Sequence, residues 1–312
     1  PPPDTVRRQR QMCIRDRGIT SAGAVTDSGT LAITGATTIS ASGQDITLDE
    51  SASTFGTLAL TGANVAVTDA GAVDLGASTV SGTLGITSAG AVTDSGTLAV
   101  TGATTISASG QDITLDESAS TFGTLALTGA NVAVTENAAT DLGASTVSGT
   151  FAITSGGAIT DSGTQAITGD ATFTNTAGTD DAITLDDASN AFGGTVTFAT
   201  DSGSAVTIVD TTALDLVALT AASLSATSGG AVTDSGTLAI AGATTISASG
   251  QDITLDEAAS TFGTLALTGV NVAVTDAGAT DLGASTVSGT LGITSAGAVS
   301  YTHLTLPTNC VV

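Results

Sequence analysis

One unit recurs along this chain almost letter for letter. The first copy opens GITSAGAVTDSGTLAITGATTISASGQDITLDE at Gly18, and further copies begin at Gly85, Ala152, Ser225 and Gly292. The starts are evenly spaced except for a longer interval between Ala152 and Ser225. A unit repeated at fixed period cannot bury its apolar side alone and does so against its neighbours, which produces a stacked, quasi-one-dimensional fold. Residues 18–298 therefore read as a single stack of four repeats (18–84, 85–151, 152–224 and 225–291) followed by a stub, 292–298.

The flanks differ sharply. All five basic residues (Arg7, Arg8, Arg10, Arg15 and Arg17) precede Gly18, as do the only Met (Met12) and one of two cysteines, Cys13. Tyr301, His303, Pro307 and Cys310 all follow Val299. The segment Arg7 to Arg17, RRQRQMCIRDR, resembles the translation of a transposon-type sequencing-library adapter, and VSYTHLTLPT at Val299 to Thr308 resembles its reverse complement. On that resemblance 1–17 and 299–312 are adapter-like flanks, set aside from fold reasoning.

Without the flanks, the repeats lose two of the 29 acids (Asp4 and Asp16), keep 27, and contain no Lys, Arg or His. A chain without cations cannot neutralise phosphates, which excludes nucleic acid as a partner. Its negative charge repels anionic lipid and keeps a β-rich surface soluble. No stretch approaches 18 consecutive apolar residues, so no membrane-spanning helix is expected. With no cysteine in 18–298, disulfides and thiolate metal sites are absent there. The low aromatic content, with seven Phe and no Trp, suits a narrow interior filled by small and β-branched side chains.

Short runs such as TLAIT, DITLD, TLALT and NVAVTD alternate with period two. Leu31 and Ile33 point one way while Thr30, Ala32 and Thr34 point the other; Ile46 with Leu48, Leu58 with Leu60, and Val65 with Val67 repeat the pattern. That is the signal of a half-buried strand, and the glycine density disfavours helix. About nine runs per unit predict an all-β fold, a right-handed parallel β-helix (β-solenoid). It has about three strands per coil of roughly 22 residues, three coils per 67-residue repeat and about 12–13 coils in total. The six extra residues of the third unit are expected to be longer turns that leave the stack intact. An antiparallel sandwich array is the competing architecture, but Asn-Gly and Asp-Gly hairpin signals are nearly absent.

The phrases SGTLxITG, SGQDITLD, TLALTGANVAVTDAG and LGASTVSG resemble the β-strand repeats of giant bacterial secreted adhesins, namely filamentous-haemagglutinin-like exoproteins and autotransporter passengers. The resemblance covers 18–298. It implies a secreted, cell-surface protein in which this segment is a structural repeat, a stalk or binding surface; with no His or Arg in the repeats and no long loops to wall a cleft, no catalysis and no cofactor are expected. The partners it implies are a host or environmental surface glycan or protein, bound through regions outside this segment. Uncapped strands at both ends add possible end-to-end self-association. A β-helix polysaccharide-degrading enzyme, or an ice-binding solenoid, is the alternative function.

No catalytic, cofactor-binding or metal residues are assigned. The acids recur in phase: Asp27, Asp45, Asp49, Glu50, Asp69 and Asp74 match Asp94, Asp112, Asp116, Glu117, Glu136 and Asp141, and again Asp234, Asp252, Asp256, Glu257, Asp276 and Asp281. Asp27 and Asp49 are one coil apart, expected on adjacent rungs as solvated turn carboxylates, with weak Ca²⁺ binding as the alternative. A glycosidase needs two carboxylates across a cleft, for which Asp180-Asp181 and Asp186-Asp187 are the candidate cluster. Outward threonines such as Thr30, Thr34, Thr37 and Thr38 would serve an ice face only if repeated on every coil. Phe55, Phe122, Phe192 and Phe262 are expected to be isolated core plugs.

Overall fold

The structure is a computed structural model that describes residues 16–176, 178, 180–301 and 304–305. Among them there is no helix, and the strands pair in parallel. One face of the stack begins with Asp16–Thr20 and is covered in turn by Ala36–Ser40, Thr57–Gly62, Val73–Leu75, Val92–Asp94, Ile113–Leu115, Val132–Glu136, Phe151–Ser155 and Ala171–Asn175. It continues through Thr195–Ala199, Leu214–Leu216, Val232–Asp234, Ile253–Leu255, Val272–Asp276 and Leu291–Ser295. The protein is a β-solenoid of about 14 turns. At about 4.8 Å per turn the rod is about 67 Å long.

The register corrects the expected coil count. The ladder climbs from Asp16 to Leu291 in 14 steps, so the average turn is shorter than the expected coil. Ala36–Ser40 and its equivalent two repeats later, Ala171–Asn175, lie on the same face, seven steps apart. The equivalent strand between them, Ala103–Ser107, lies on another face, between Leu84–Ser88 and Thr124–Gly129. One repeat therefore makes about three and a half turns, not three.

The reason is that strands do not divide a turn evenly. Thr57–Gly62 runs the full width that the next turn covers with two short strands, Val73–Leu75 and Ser78–Val80. Thr124–Gly129 is likewise covered by Thr140–Leu142 and Ser145–Val147. A turn built with a long strand closes early, and Asp74 already lies beside Thr57. Turns between strands bend tightly at SGQD, where Gly43, Gly110 and Gly250 take φ of 73°, 74° and 81°, a left-handed conformation open chiefly to glycine.

The period-two reading holds at the side-chain level. Ile46, Leu48, Leu58, Leu60, Val65 and Val67 are all buried, as are their equivalents one repeat on. Each such side chain contributes about 1.5–3 kcal/mol of burial, and stacking turns places them in one continuous aliphatic column. A less expected occupant is threonine. Thr37, Thr104 and Thr244 point inward, and their hydroxyl oxygens have no hydrogen-bond partner.

The third unit absorbs its additional residues as expected. The step from Ala171 to Val196 is a long one, yet the ladders on both sides of it are unbroken. Its core is aromatic. Phe173 packs edge-on against Phe151 (5.9 Å) and Phe192 (6.0 Å) and stacks on Phe198 at 5.7 Å. Phe192 is thus part of a cluster and not an isolated plug; the longer turn brings Phe173 and Phe198 into direct register.

The stack runs past both adapter-like boundaries. Asp16 and Arg17 belong to the first strand, and Val299–Tyr301 pairs with Thr280–Leu282. Leu304–Thr305 pairs with Ser285–Val287. Val299 and Tyr301 are 49% and 69% exposed, so this end adds main-chain hydrogen bonds without adding core.

Candidate functional site

Three sets of polar side chains tie successive turns together, and the in-phase Asp27, Asp45, Asp69 and Asp74 belong to them. In the first set, Asp27 and Asp49 do lie on adjacent rungs, but not as facing carboxylates: the Asp49 backbone N–H donates to Asp27 Oδ1 at 3.1 Å. The same clamp joins Asp94 to Asp116 and Asp234 to Asp256, each at 2.8 Å. In the third unit Asp161 receives the N–H groups of both Asp186 (2.8 Å) and Asp187 (3.3 Å). Asp94 and Asp234 are buried, and Oδ2 of Asp94 has no partner. Burial pushes the Asp94 carboxyl from 3.8 up to about 6, overcoming the N–H groups of Asp116 and Glu117 that favour its charged form, while the charges of those residues push it further up. Asp234 is raised for the same reasons.

The second set is fully internal. Asp69, Glu136, Asp210 and Asp276 end strands on their buried side, at 1–2% exposure. Asp69 accepts from the N–H of Phe55, Glu136 from that of Phe122 and Asp210 from that of Phe192. Glu136 also accepts from Thr140 Oγ1 at 2.9 Å, and Asp276 from Thr280 Oγ1 at 2.9 Å. Desolvation raises the pKa of Glu136 and Asp210 despite these donors.

The third set is exposed and spans three turns at a time. Asp45 Oδ1 accepts from both the backbone and side-chain N–H of Asn64, whose Oδ1 accepts from Thr83. Asp112, Asn131 and Thr150 repeat this, as do Asp252, Asn271 and Thr290. Asp74 likewise receives the hydroxyls of Thr57 below and Ser95 above. Turn serines, whose role is not evident from their residue type, close the system: Oγ of Ser53, Ser120 and Ser260 accepts the N–H of Leu31, Leu98 and Leu238. Their signal is the in-phase Ser of the SAST and AAST phrases.

Among the described residues no group of three or more His, Cys, Asp or Glu is arranged to hold a metal ion. Of the acid pairs, Asp186 and Asp187 brace a turn against Asp161, and Asp187 Oδ1 also accepts from Thr164 Oγ1. An apolar hollow lies at the start of the stack, lined by Ile19, Val25, Leu31, Ile33, Leu48 and Phe55 among others, and no residue of 170–215 lines it. Of the threonines considered for a flat face, Thr30, Thr34 and Thr38 are exposed, but Thr37 belongs to the core.

This chemistry is bracing chemistry: most of these carboxylates bind a neighbouring turn of the same chain, and Asp276 braces its own turn through the Gly278 N–H and Thr280 Oγ1. A family model described as repeats of unknown function (DUF5649) matches residues 16–61, 62–128, 129–199, 203–268 and 269–307. The chain belongs to that family. Its second match, 62–128, is one period long, and the gap at 200–202 falls in the irregular unit of the DUF5649 stack. No curated protein and no solved structure matches the chain.

Proposed function

We propose that this solenoid is a structural segment, a stalk, of a secreted bacterial surface adhesin, and that its work is mechanical. It holds binding regions away from the cell surface, and those regions, outside these residues, contact a surface glycan or protein. The observation that supports the reading is the unbroken parallel ladder over about 14 turns, in which the polar side chains described above bind turn to turn. Such a rod transmits load through main-chain hydrogen bonds arranged along its axis, and its length scales with copy number. The resemblance of the repeat phrases to adhesin repeats supports export and surface location. The exposed apolar residues of the first turn, with Ile19 at 44%, support end-to-end association of isolated segments.

The test has two parts. Chains with two, four and six repeats, imaged by electron microscopy, should lengthen by about 17 Å per repeat, and antibody to the repeats should label intact cells of the source bacterium. Particles whose length does not grow with repeat number defeat the stalk reading. Labelling that appears only after lysis defeats the surface location, and release of reducing sugar from polysaccharides would favour the enzyme.

A further inference from the structure

The buried carboxylates have no counter-charge anywhere in the repeats. From the turn above, Asp94 faces Asp116 and Glu117; from the turn below it sits opposite Leu75, and the adjacent Asp74 is held by Thr57 and Ser95. Asp234 faces Asp256 and Glu257 above and Leu216 below, beside Asp215. Glu136 and Asp210 are enclosed by Phe122 and Thr140, and by Phe192 and Thr212. No Lys, Arg or His occurs in 18–298 to pair with any of them. An ionised carboxylate in such a place is costly, whereas a protonated one keeps an acceptor oxygen for the N–H of the next turn and gains a donor. In the clamps the second carboxylate oxygen is poorly served: Asp234 Oδ2 accepts only a long 3.5 Å contact from the Ser260 hydroxyl, and Asp94 Oδ2 and Asp210 Oδ2 are buried with no partner.

We propose that the solenoid is an acid-strengthened rod, in which protons taken up by the Asp94 and Asp234 clamps and by buried Glu136 and Asp210 tighten the contact between turns. The direction follows from linkage. These groups hold protons more firmly folded than unfolded, so their contribution is fully present below the unfolded carboxylate range and is lost as pH rises through the folded value, which for Asp94 is about 6. A stack of this kind is therefore weakest at neutral and alkaline pH and gains stability on mild acidification, the reverse of a protein whose carboxylates are salt-bridged.

Thermal unfolding of the whole chain at pH 7.5, 6.5, 5.5 and 4.5 tests this, read beside the ¹³C carboxyl titration of Asp94 and Asp234. The midpoint should rise by several degrees from pH 7.5 to 5.5, and the two carboxyls should titrate above the ordinary aspartate range. The D94N/D234N double variant should melt higher than wild type at pH 7.5 and show a flatter pH profile. D180N/D201N removes two exposed acids instead and should retain the wild-type slope. A midpoint that is level or falls on acidification overturns the proposal, as does ordinary titration of both carboxyls. Equal flattening by the exposed pair assigns the effect to overall charge and overturns it too. If the clamp variant fails to fold, the carboxyl titration of the wild-type chain decides.

Discussion

The second and third units solve the same packing problem with different perimeters. In the second, one turn carries the chain from Val92 to Ile113, and the core is Val, Leu and Ile with Phe122 apart from the unit's other phenylalanine, Phe151 at the border with the third unit. In the third, a longer turn carries it from Ala171 to Val196, and Phe173, Phe192 and Phe198 fill it, joined by Phe151 from the turn below. The polar side chains lengthen in step. Where Ser120 Oγ receives the N–H of Leu98, Asn190 Oδ1 receives that of Gln165. Gln165 in turn reaches Gly143 O and Gly163 O through its amide nitrogen, at 2.8 and 2.7 Å. A wider loop needs larger apolar side chains at its centre and longer polar ones at its corners. Both changes occur together, so insertion and repacking form one event.

Removing the centre of the wide turn should break this comparison most severely. Phe173→Ala leaves a cavity bordered by three rings and should cost about 5 kcal/mol, whereas Phe122→Ala, with no ring neighbour in the narrow turn, should cost about 3 kcal/mol; denaturant unfolding followed by circular dichroism gives both. Equal losses at the two sites would mean the aromatic cluster is not what fills the third unit. Next in size is the corner. Gln165→Ala takes the donor away from the carbonyls of Gly143 and Gly163, for an expected loss of about 1–3 kcal/mol, and hydrogen exchange should show faster opening confined to neighbouring turns. The smallest effect has the opposite sign. Thr104→Val removes a buried hydroxyl without a partner and keeps the shape, so it should stabilise the second unit by about 1 kcal/mol. A destabilised Thr104→Val protein would show that the hydroxyl is satisfied.

Much of the architecture was legible from residues alone. Leu58 with Leu60 and Val65 with Val67 disclosed strands, and the spacing of Asp27 and Asp49 disclosed neighbouring rungs. The coil count was not legible, because the repeat period is not a whole number of turns, and no residue marks where Thr57–Gly62 is answered by two strands. Nor were the buried acids. Asp69 and Glu136 alternate with Thr68 and Thr135 as any surface acid might, and only the register shows them receiving the N–H groups of Phe55 and Phe122. The Phe173 cluster was hidden for a related reason: the inserted residues displace Phe198 by one long turn, onto its partner.

The half-turn left over by every repeat has a geometric outcome. It relates successive copies by something close to a twofold screw axis, so a position written once per repeat emerges on opposite flanks of the filament in alternation, about 17 Å apart along its length. A side chain written into the repeat unit is thereby displayed on both sides of the rod, on one side by odd copies and on the other by even ones.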